Sequence, residues 1–168
     1  PYLQIEPTSI CNYRCVFCYQ SNEAFSQKES GHMGVMALDT YRSIVDQIEG
    51  HVQFVSLASR GEPLICRDVP AMLEYSRDKF LNLKVNTNAS LLTEKLCHVL
   101  LNGAVRTLVF SADAAEEPLY SQLRVNGNLD RVLRNIEMFQ KIRERDYPEV
   151  RILTRVSGVM VDESKQDM

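Results

Sequence analysis

Five short apolar runs typical of β-strands alternate with helical patterns along most of this chain. The helical patterns place apolar residues at positions i, i+3, i+4 and i+7, which form one face of a helix. Strands that alternate with helices favour βα units and therefore a parallel sheet. The predicted strands are residues 2–6, 52–58, 81–87, 105–111 and 149–156.

The strands themselves have one apolar and one polar face. In the third strand, Leu83 and Val85 alternate with Lys84 and Asn86. A strand covered by helices on both faces has an almost continuous apolar sequence, so this alternation favours helices on one face only. An open, doubly wound sheet is the alternative to a partial (β/α) barrel with a polar, concave lumen. A full eight-unit barrel needs roughly 250 residues, and this chain supplies about five units of one.

Three of the predicted helices have candidate N-terminal caps. Asp39, Thr93 and Asn128 each precede an apolar stripe. A side-chain oxygen at such a position accepts a hydrogen bond from a free N–H of the first helical turn. Gly103 follows the helix that Thr93 begins, and a glycine there can end it.

Composition limits the classes of partner. The chain has 168 residues, a length typical of one domain. Its net charge is −3 and it has no basic run, so nothing supports binding to nucleic acid or to an anionic membrane. No apolar stretch approaches the roughly 20 residues that span a bilayer. Five cysteines without a visible signal peptide favour reduced thiols and a cytoplasmic location.

Cys11, Cys15 and Cys18 form a C-x3-C-x2-C run with no fourth cysteine nearby. A closed structural zinc or iron–sulfur site has four protein ligands. Three thiolates leave one coordination position open to a substrate or a cofactor. The run therefore predicts a catalytic [4Fe–4S] site with one open iron. The alternative is a zinc knuckle completed by a remote histidine or cysteine.

The cysteine run resembles the cluster loop of the radical S-adenosylmethionine (radical SAM) enzymes, in which an aromatic residue, here Phe17, precedes the last cysteine. The resemblance implies a six-unit partial barrel, with S-adenosylmethionine chelated to the open iron through its amino and carboxylate groups. An electron from the cluster then cleaves the sulfonium, and the resulting 5′-deoxyadenosyl radical abstracts hydrogen from a substrate. A small reductant protein, such as a flavodoxin or a ferredoxin, is the implied partner.

Two further segments at predicted strand ends resemble motifs of this family. The run Ser-Arg-Gly-Glu-Pro resembles its Gly-Gly-Glu-Pro motif, which binds the amino group of the cofactor, and implies contacts from Gly61 and Glu62. Arg60 stands where the family has its first glycine. The run Asn-Thr-Asn-Ala resembles its Thr-Asn-Gly segment and makes Asn86 and Asn88 candidate ligand contacts. An ordinary turn is the alternative for both segments.

The fourth strand and the segment after it complete the predicted site. Ser111 and Asp113 share a parity and can both point inward. The stretch from Tyr120 to Arg124 resembles the one in which related maturases place an arginine on the carboxylate of the cofactor, and a guanidinium suits a carboxylate. Ser111 and Arg124 are therefore expected to contact the cofactor, and Asp113 to contact its ribose or the substrate. A helix cap for Asp113 and a surface ion pair for Arg124 are the alternatives.

Together these motifs resemble the SPASM/twitch branch of the family, which includes peptide maturases and sulfatase-maturing enzymes. The resemblance implies that residues 1–168 are a radical SAM core domain that lacks its C-terminal part, including a SPASM-like domain with further iron–sulfur cysteines. Another helix is expected to begin near Asp162. The substrate, a peptide or a small molecule, is not indicated. The alternative function is a non-catalytic iron–sulfur or zinc-binding domain for electron transfer or structure.

Overall fold

The computed structural model describes residues 1–161, so the helix expected near Asp162 lies outside the described residues. The strands, β1 to β7 in chain order, are Tyr2–Ile5, Arg14–Cys15, Phe54–Leu57, Asn82–Thr87, Val105–Ser111, Arg124–Val125 and Leu153–Ser157. The helices, α1 to α6, are Glu23–Ser26, Leu38–Ile48, Val69–Tyr75, Glu94–Leu101, Leu119–Leu123 and Leu129–Asp146. Short 3-10 helices cover Tyr19–Ser21, Lys28–Ser30 and Pro63–Ile65.

The main sheet has five parallel strands in the order β1-β3-β4-β5-β7, and β2 pairs with β6 in a separate antiparallel ribbon. The order follows the chain without a reversal, as in a barrel. A doubly wound sheet reverses its strand order part-way. The predicted partial (β/α) barrel with about five βα units is confirmed.

The two faces of the sheet differ as their sequence predicts. Leu83 and Val85 of β4 are buried against the helices, at 1% and 0% exposure. The alternate residues Asn82, Lys84 and Asn86 are only half-buried on the opposite face. The helices therefore cover one face, and the polar face is concave and free of helices within residues 1–161.

Two of the three predicted helix caps are confirmed. The Thr93 side chain accepts a hydrogen bond from the Leu96 N–H, and the Asn128 side chain accepts one from the Arg131 N–H. Asp39 is not a cap, because α2 already begins at Leu38 and Ala37 is its N-cap. The segment before α2 is extended and bonded to the end of β1, where the Met36 N–H donates to the Pro7 carbonyl, and this pairing fixes where the helix starts.

The last strand starts later than its sequence predicts. Residues 149–152 lie outside β7, and the Val150 N–H donates to the Tyr147 carbonyl in a turn. Ile152 is still buried, which explains why the apolar alternation extends beyond the strand. Within the described part of the chain, no helix has both the length and the apolar character needed to cross a membrane.

Candidate functional site

A pocket of about 190 Å³ opens at the C-terminal ends of the strands, where the βα loops of a parallel barrel place their side chains. It brings together segments that are far apart in the sequence. Of the predicted site residues, it is lined by Cys11, Cys15, Phe17, Cys18, Gly61, Glu62, Asn86, Asn88, Ser111 and Arg124.

The three cysteines are free thiols, half-buried at the pocket wall. Burial raises the pKa of Cys11, and it raises the pKa of Cys15 to about 11. No three histidine, cysteine or acidic side chains among residues 1–161 converge closely enough to hold a single metal ion. The thiols instead surround a shared space, as ligands to separate irons of a cluster do. Three sulfur donors around a pocket with further polar walls fit a [4Fe–4S] cluster with one open iron.

The cysteine loop is tied to a distant part of the chain by the β2–β6 ribbon. Cys15 lies opposite Arg124 in this ribbon, and the Val16 N–H donates to the Leu123 carbonyl over 2.9 Å. The arginine that resembles a cofactor ligand is therefore placed beside a cysteine by main-chain pairing. No local sequence signal shows this ribbon, since each of its strands has two residues.

Arg124 forms a buried ion pair with Asp113, in which Arg124 Nε lies 2.5 Å from Asp113 Oδ2. The two side chains are 7% and 1% exposed. The other oxygen, Asp113 Oδ1, accepts a hydrogen bond from the Val159 N–H. Asp113 does not line the pocket, so its predicted contact with ribose or substrate is not supported by its position. Arg124 belongs to β6 of the ribbon, and the Asp113 carboxylate holds its guanidinium at the pocket wall.

Glu62 is 3% exposed, and its carboxylate accepts three hydrogen bonds. The donors are the Thr87 hydroxyl at 2.7 Å, the Asn88 N–H at 2.7 Å and the Leu64 N–H at 3.1 Å. Burial raises the pKa of Glu62, while these donors oppose the shift. The side chain therefore joins the Gly-Glu-Pro loop to the end of β4, and little of its hydrogen-bonding capacity is left for a ligand.

Gly61 allows the Gly-Glu-Pro loop to lie directly against the end of β1. A Cβ at this position would be 1.9 Å from the Thr8 carbonyl oxygen and 2.7 Å from that of Ile10. The next N–H, that of Glu62, donates to the Ile10 carbonyl over 2.9 Å. A glycine is therefore required at position 61, because the two main chains approach each other closely. The contact is at Ile10, one residue before Cys11.

Arg60, which replaces the family's first glycine, has a defined structural role. Its guanidinium forms a two-pronged contact with the Glu6 carboxylate, with Nη2 to Oε2 at 2.6 Å. Its main-chain N–H also donates to Glu6 over 2.7 Å. The buried Gln20 amide donates to the carbonyls of Arg60 and Ser9, which ties the end of the cysteine loop to the same segment.

A polar network fixes the first part of the cysteine loop. The Asn88 amide donates to Asn12 Oδ1 over 3.0 Å, and the Asn12 amide donates to the Ser90 hydroxyl over 2.9 Å. The Asn135 amide of α6 donates to the main-chain carbonyls of Ala89 and Ser90. Asn88 is therefore engaged with the cysteine loop, while Asn86 Oδ1 is buried without a hydrogen-bond partner among residues 1–161.

Three comparisons with known proteins agree with this geometry. The family model for the radical SAM superfamily matches residues 5–156. The chain belongs to the radical SAM superfamily. Members of this superfamily use a [4Fe–4S] cluster and S-adenosylmethionine, and the donor set around the pocket fits both.

Curated relatives of this radical SAM chain have different activities. An AdoMet-dependent heme synthase of Methanosarcina barkeri is 29% identical over 159 residues, which cover 94% of this chain and 43% of that protein. A GTP 3′,8-cyclase of Ectopseudomonas mendocina is 26% identical over 139 residues, which cover 81% of this chain and 40% of that protein. The chain thus spans less than half the length of these relatives.

Solved structures show the same fold. Streptococcus suis SuiB bound to S-adenosylmethionine superposes with a TM-score of 0.74 at 18% identity, over 96% of this chain and 34% of that one. The structure of anSMEcpe with bound AdoMet gives a TM-score of 0.71 at 18% identity, over 92% of this chain and 42% of that one. At these identities the likeness concerns the fold alone.

Several residues of the site have no signal in the sequence. Asn12, Gln20 and Glu6 are ordinary polar residues until the fold places each beside a partner from another loop. Tyr13 is 2% exposed at the pocket wall, where its side chain faces the buried Tyr120. In the sequence, only the spacing of the cysteines could have marked Asn12 and Tyr13, which lie between Cys11 and Cys15, as candidate site residues.

Proposed function

We propose that this chain is the catalytic core of a radical SAM enzyme. Cys11, Cys15 and Cys18 would hold the cluster, and the wall formed by Ser111 and Arg124 would receive the methionine end of S-adenosylmethionine. The observation that carries the proposal is that these residues, from three separate segments, line one pocket in a chain of this superfamily. When bound, the cluster supplies the electron that cleaves the cofactor's sulfonium to a 5′-deoxyadenosyl radical.

The chain's own residues hold and orient the cofactor. Asp113 fixes Arg124 through the Nε edge, which leaves the other guanidinium donors for a carboxylate. Glu62 supports the loop that resembles the ammonium-binding motif, whose main-chain carbonyls are acceptors for an amino group. At about 190 Å³, the pocket is below the roughly 300–1,000 Å³ of typical ligand sites, so it would hold only part of the cofactor.

Two further proposals, the class of substrate and the branch of the superfamily, depend on the first. A peptide-modifying role in the SPASM/twitch branch is supported by the fold shared with SuiB, which was solved bound to its precursor peptide SuiA. A small-molecule substrate is supported by the heme synthase and the GTP cyclase among the curated relatives. Residues 1–168 would then be the core domain of a longer protein, and a flavodoxin or a ferredoxin would supply the electron. A cytoplasmic location stays a prediction.

Anaerobic reconstitution tests the proposal. The wild-type chain should bind about four irons per molecule, and the Cys11→Ala/Cys15→Ala/Cys18→Ala variant should bind no cluster. Adding S-adenosylmethionine should change the electron paramagnetic resonance spectrum of the reduced cluster, because the cofactor occupies the open iron. A stoichiometric cluster in the triple variant would contradict the cysteine assignment. A spectrum that does not change when the cofactor is added would favour a non-catalytic iron–sulfur domain.

A further inference from the structure

The concave face of the sheet carries two basic side chains, one on β4 and one on β7. Lys84 is aligned with Thr107 and Leu153 across the sheet, and Arg155 is aligned with Val109 and Asn86. Side chains in one register row point to the same face of a sheet. Asn86 lines the cofactor pocket. Lys84 and Arg155 therefore lie on the lumen face that the pocket opens onto.

Neither of these cations is neutralised. Within residues 1–161 neither takes part in an ion pair, and the Lys84 ammonium lies 5.9 Å from the centre of the Tyr2 ring. The carboxylates near the pocket are engaged elsewhere: Glu6 pairs with Arg60, Asp113 pairs with Arg124, and Glu62 accepts three hydrogen bonds. A chain with a net charge of −3 thus leaves a positive surface inside its own lumen.

The backbones of the two residues lie within reach of one group, and the Lys84 ammonium, which rests near the Tyr2 ring of β1, would turn toward β7 to meet it. Lys84 and Arg155 are two strands and two residues apart, so sheet geometry places their backbones about 12 Å from each other. Long, flexible lysine and arginine side chains on a concave face can span that gap from both sides. Asn86 is two residues along β4 from Lys84, about 7 Å toward the pocket. A molecule on the lumen face next to the pocket would therefore reach both cations.

The same face also has buried polar atoms without a partner. Ser56 is 0% exposed and is aligned with Lys84 and Gln4 across the sheet, yet its hydroxyl has no hydrogen-bond partner among residues 1–161. Buried polar groups in native proteins are nearly always hydrogen-bonded. An unpartnered buried hydroxyl in the same register row as Lys84 indicates a surface that is completed by a polar ligand.

We propose that Lys84 and Arg155 bind an anionic group of the substrate, a carboxylate or a phosphate, on the concave face below the cofactor pocket. This inference rests on the proposed function, because it assigns the lumen to the substrate of a radical SAM enzyme. Arginine can hold either anion through two parallel hydrogen bonds, and lysine adds a point charge. The substrate would be anchored at one end, with its reacting carbon directed toward the pocket.

Isothermal titration of the chain without cluster tests the anion site. Inorganic phosphate and glutarate, each at constant ionic strength, stand in for the two anion classes. Saturable binding of at least one is expected, and the tighter probe identifies the class. The Lys84→Gln/Arg155→Gln variant should bind it roughly tenfold more weakly or worse, because two charge contacts are lost. Absence of saturable binding of both probes by the wild-type chain overturns the proposal.

Matched variants separate this site from general charge effects. Lys95→Gln/Arg134→Gln removes the same charges from exposed helical positions and should leave the affinity unchanged, and Lys84→Arg/Arg155→Lys should retain binding. An equal loss in the helical variant overturns the proposal. The affinity of the reconstituted chain for S-adenosylmethionine should not change in Lys84→Gln/Arg155→Gln, since a parallel loss would assign the two cations to the cofactor. Iron content is measured separately, so a failure to form the cluster contradicts only the proposed function.

Discussion

Gly61 illustrates how closely the first two loops of the site are packed. Its missing side chain lets the Gly-Glu-Pro loop touch the main chain that leads into Cys11. The resemblance of the loop to a cofactor-binding motif predicted the glycine but gave it a ligand contact. The structure adds a packing reason, which concerns the path of the cysteine loop itself.

We expect Gly61→Ala to destabilise the chain by about 1–3 kcal/mol, because the new methyl group overlaps the Thr8 carbonyl and the backbone must move. Urea unfolding measures the loss. Gly34→Ala is the matched control, since a Cβ at Gly34 meets nothing within 4 Å. Equal stability of the two variants would show that the two loops separate easily.

Arg124 carries the residue-scale prediction for the cofactor. Losing one partner of a desolvated charge pair typically costs about 2–5 kcal/mol, so Arg124→Ala should weaken S-adenosylmethionine binding far more than Arg143→Ala on α6. Anaerobic titration of the reconstituted variants measures the affinities, and circular dichroism checks that Arg124→Ala, which leaves Asp113 without its guanidinium, is folded. Equal affinities would remove Arg124 from the cofactor site.

Individual residues could be predicted where their spacing in the sequence indicates their chemistry. The three cysteines identify themselves by position alone, and Ser111 and Arg124 follow from the family resemblance. The ion pair of Asp113 could not be foreseen, because its partner is a ribbon residue from another element, and its contact with ribose or substrate stays a prediction. The roles of Asn12 and Gln20 depend on contacts between loops that no local pattern encodes.

At the scale of elements, local patterns predicted helices and strands better than their boundaries. The alternation of apolar and polar residues predicted which face of β4 lines the lumen. The predicted helix caps at Thr93 and Asn128 are confirmed. The start of α2 depends instead on the isolated bridge between Thr8 and Val35, a contact between distant segments. The β2–β6 ribbon is too short to have a periodicity.

The caps provide a paired test. Asn128→Ala should destabilise the chain by about 1 kcal/mol, because it removes the acceptor for a first-turn N–H of α6. Asp39→Ala should change the unfolding free energy by less than about 0.5 kcal/mol, because Asp39 is exposed and caps nothing. Urea unfolding of both variants measures the difference. A larger effect at Asp39 would contradict the observed start of α2.

Tyr41 connects α2 to α3 and makes stability depend on pH. Its side chain is fully buried and its hydroxyl lies 2.6 Å from that of Ser76. Burial raises the pKa of Tyr41 to about 12, from 10 for the model phenol. The folded chain therefore keeps this proton while the unfolded chain loses it, so stability should fall as pH rises from 10 to about 12.

A shift of this size corresponds to about 3 kcal/mol at about 1.4 kcal/mol per pKa unit. Tyr41→Phe removes the ionisable group, so the wild-type chain should lose that much stability relative to the variant between pH 9 and 12. Guanidinium unfolding across this range measures the difference. Parallel pH profiles for the two chains would show that the Tyr41 phenol titrates normally.

At the scale of the whole molecule, the parallel barrel architecture followed from the order of strands and helices. The polar inner face of the sheet followed from the alternation of apolar and polar residues along its strands. β7 is an edge strand of the described sheet, and Leu153, which shares the register row of Lys84 on the lumen face, is 60% exposed. The lumen is therefore open along β7 within residues 1–161.

An open lumen predicts poor control of reactive chemistry. Exclusion of water suppresses side reactions in enclosed sites. We expect the 168-residue chain to cleave S-adenosylmethionine slowly and without coupling to substrate, compared with a longer protein that contains further βα units. The ratio of 5′-deoxyadenosine to product, measured anaerobically with a strong reductant, tests this. Equal ratios for the two proteins would show that these five units suffice.

The pairing of Cys15 with Arg124 also sets when the site can be completed during synthesis. The cysteines leave the ribosome early, but the strand that braces them emerges only after β5 and α5 have been made. Domains fold as their chain becomes available, from the N-terminal end. In a nascent chain, the cysteine loop therefore reaches its final shape only after most of the barrel has been synthesised. Cluster insertion belongs after translation of this core, and the three thiols need protection from oxidation until then.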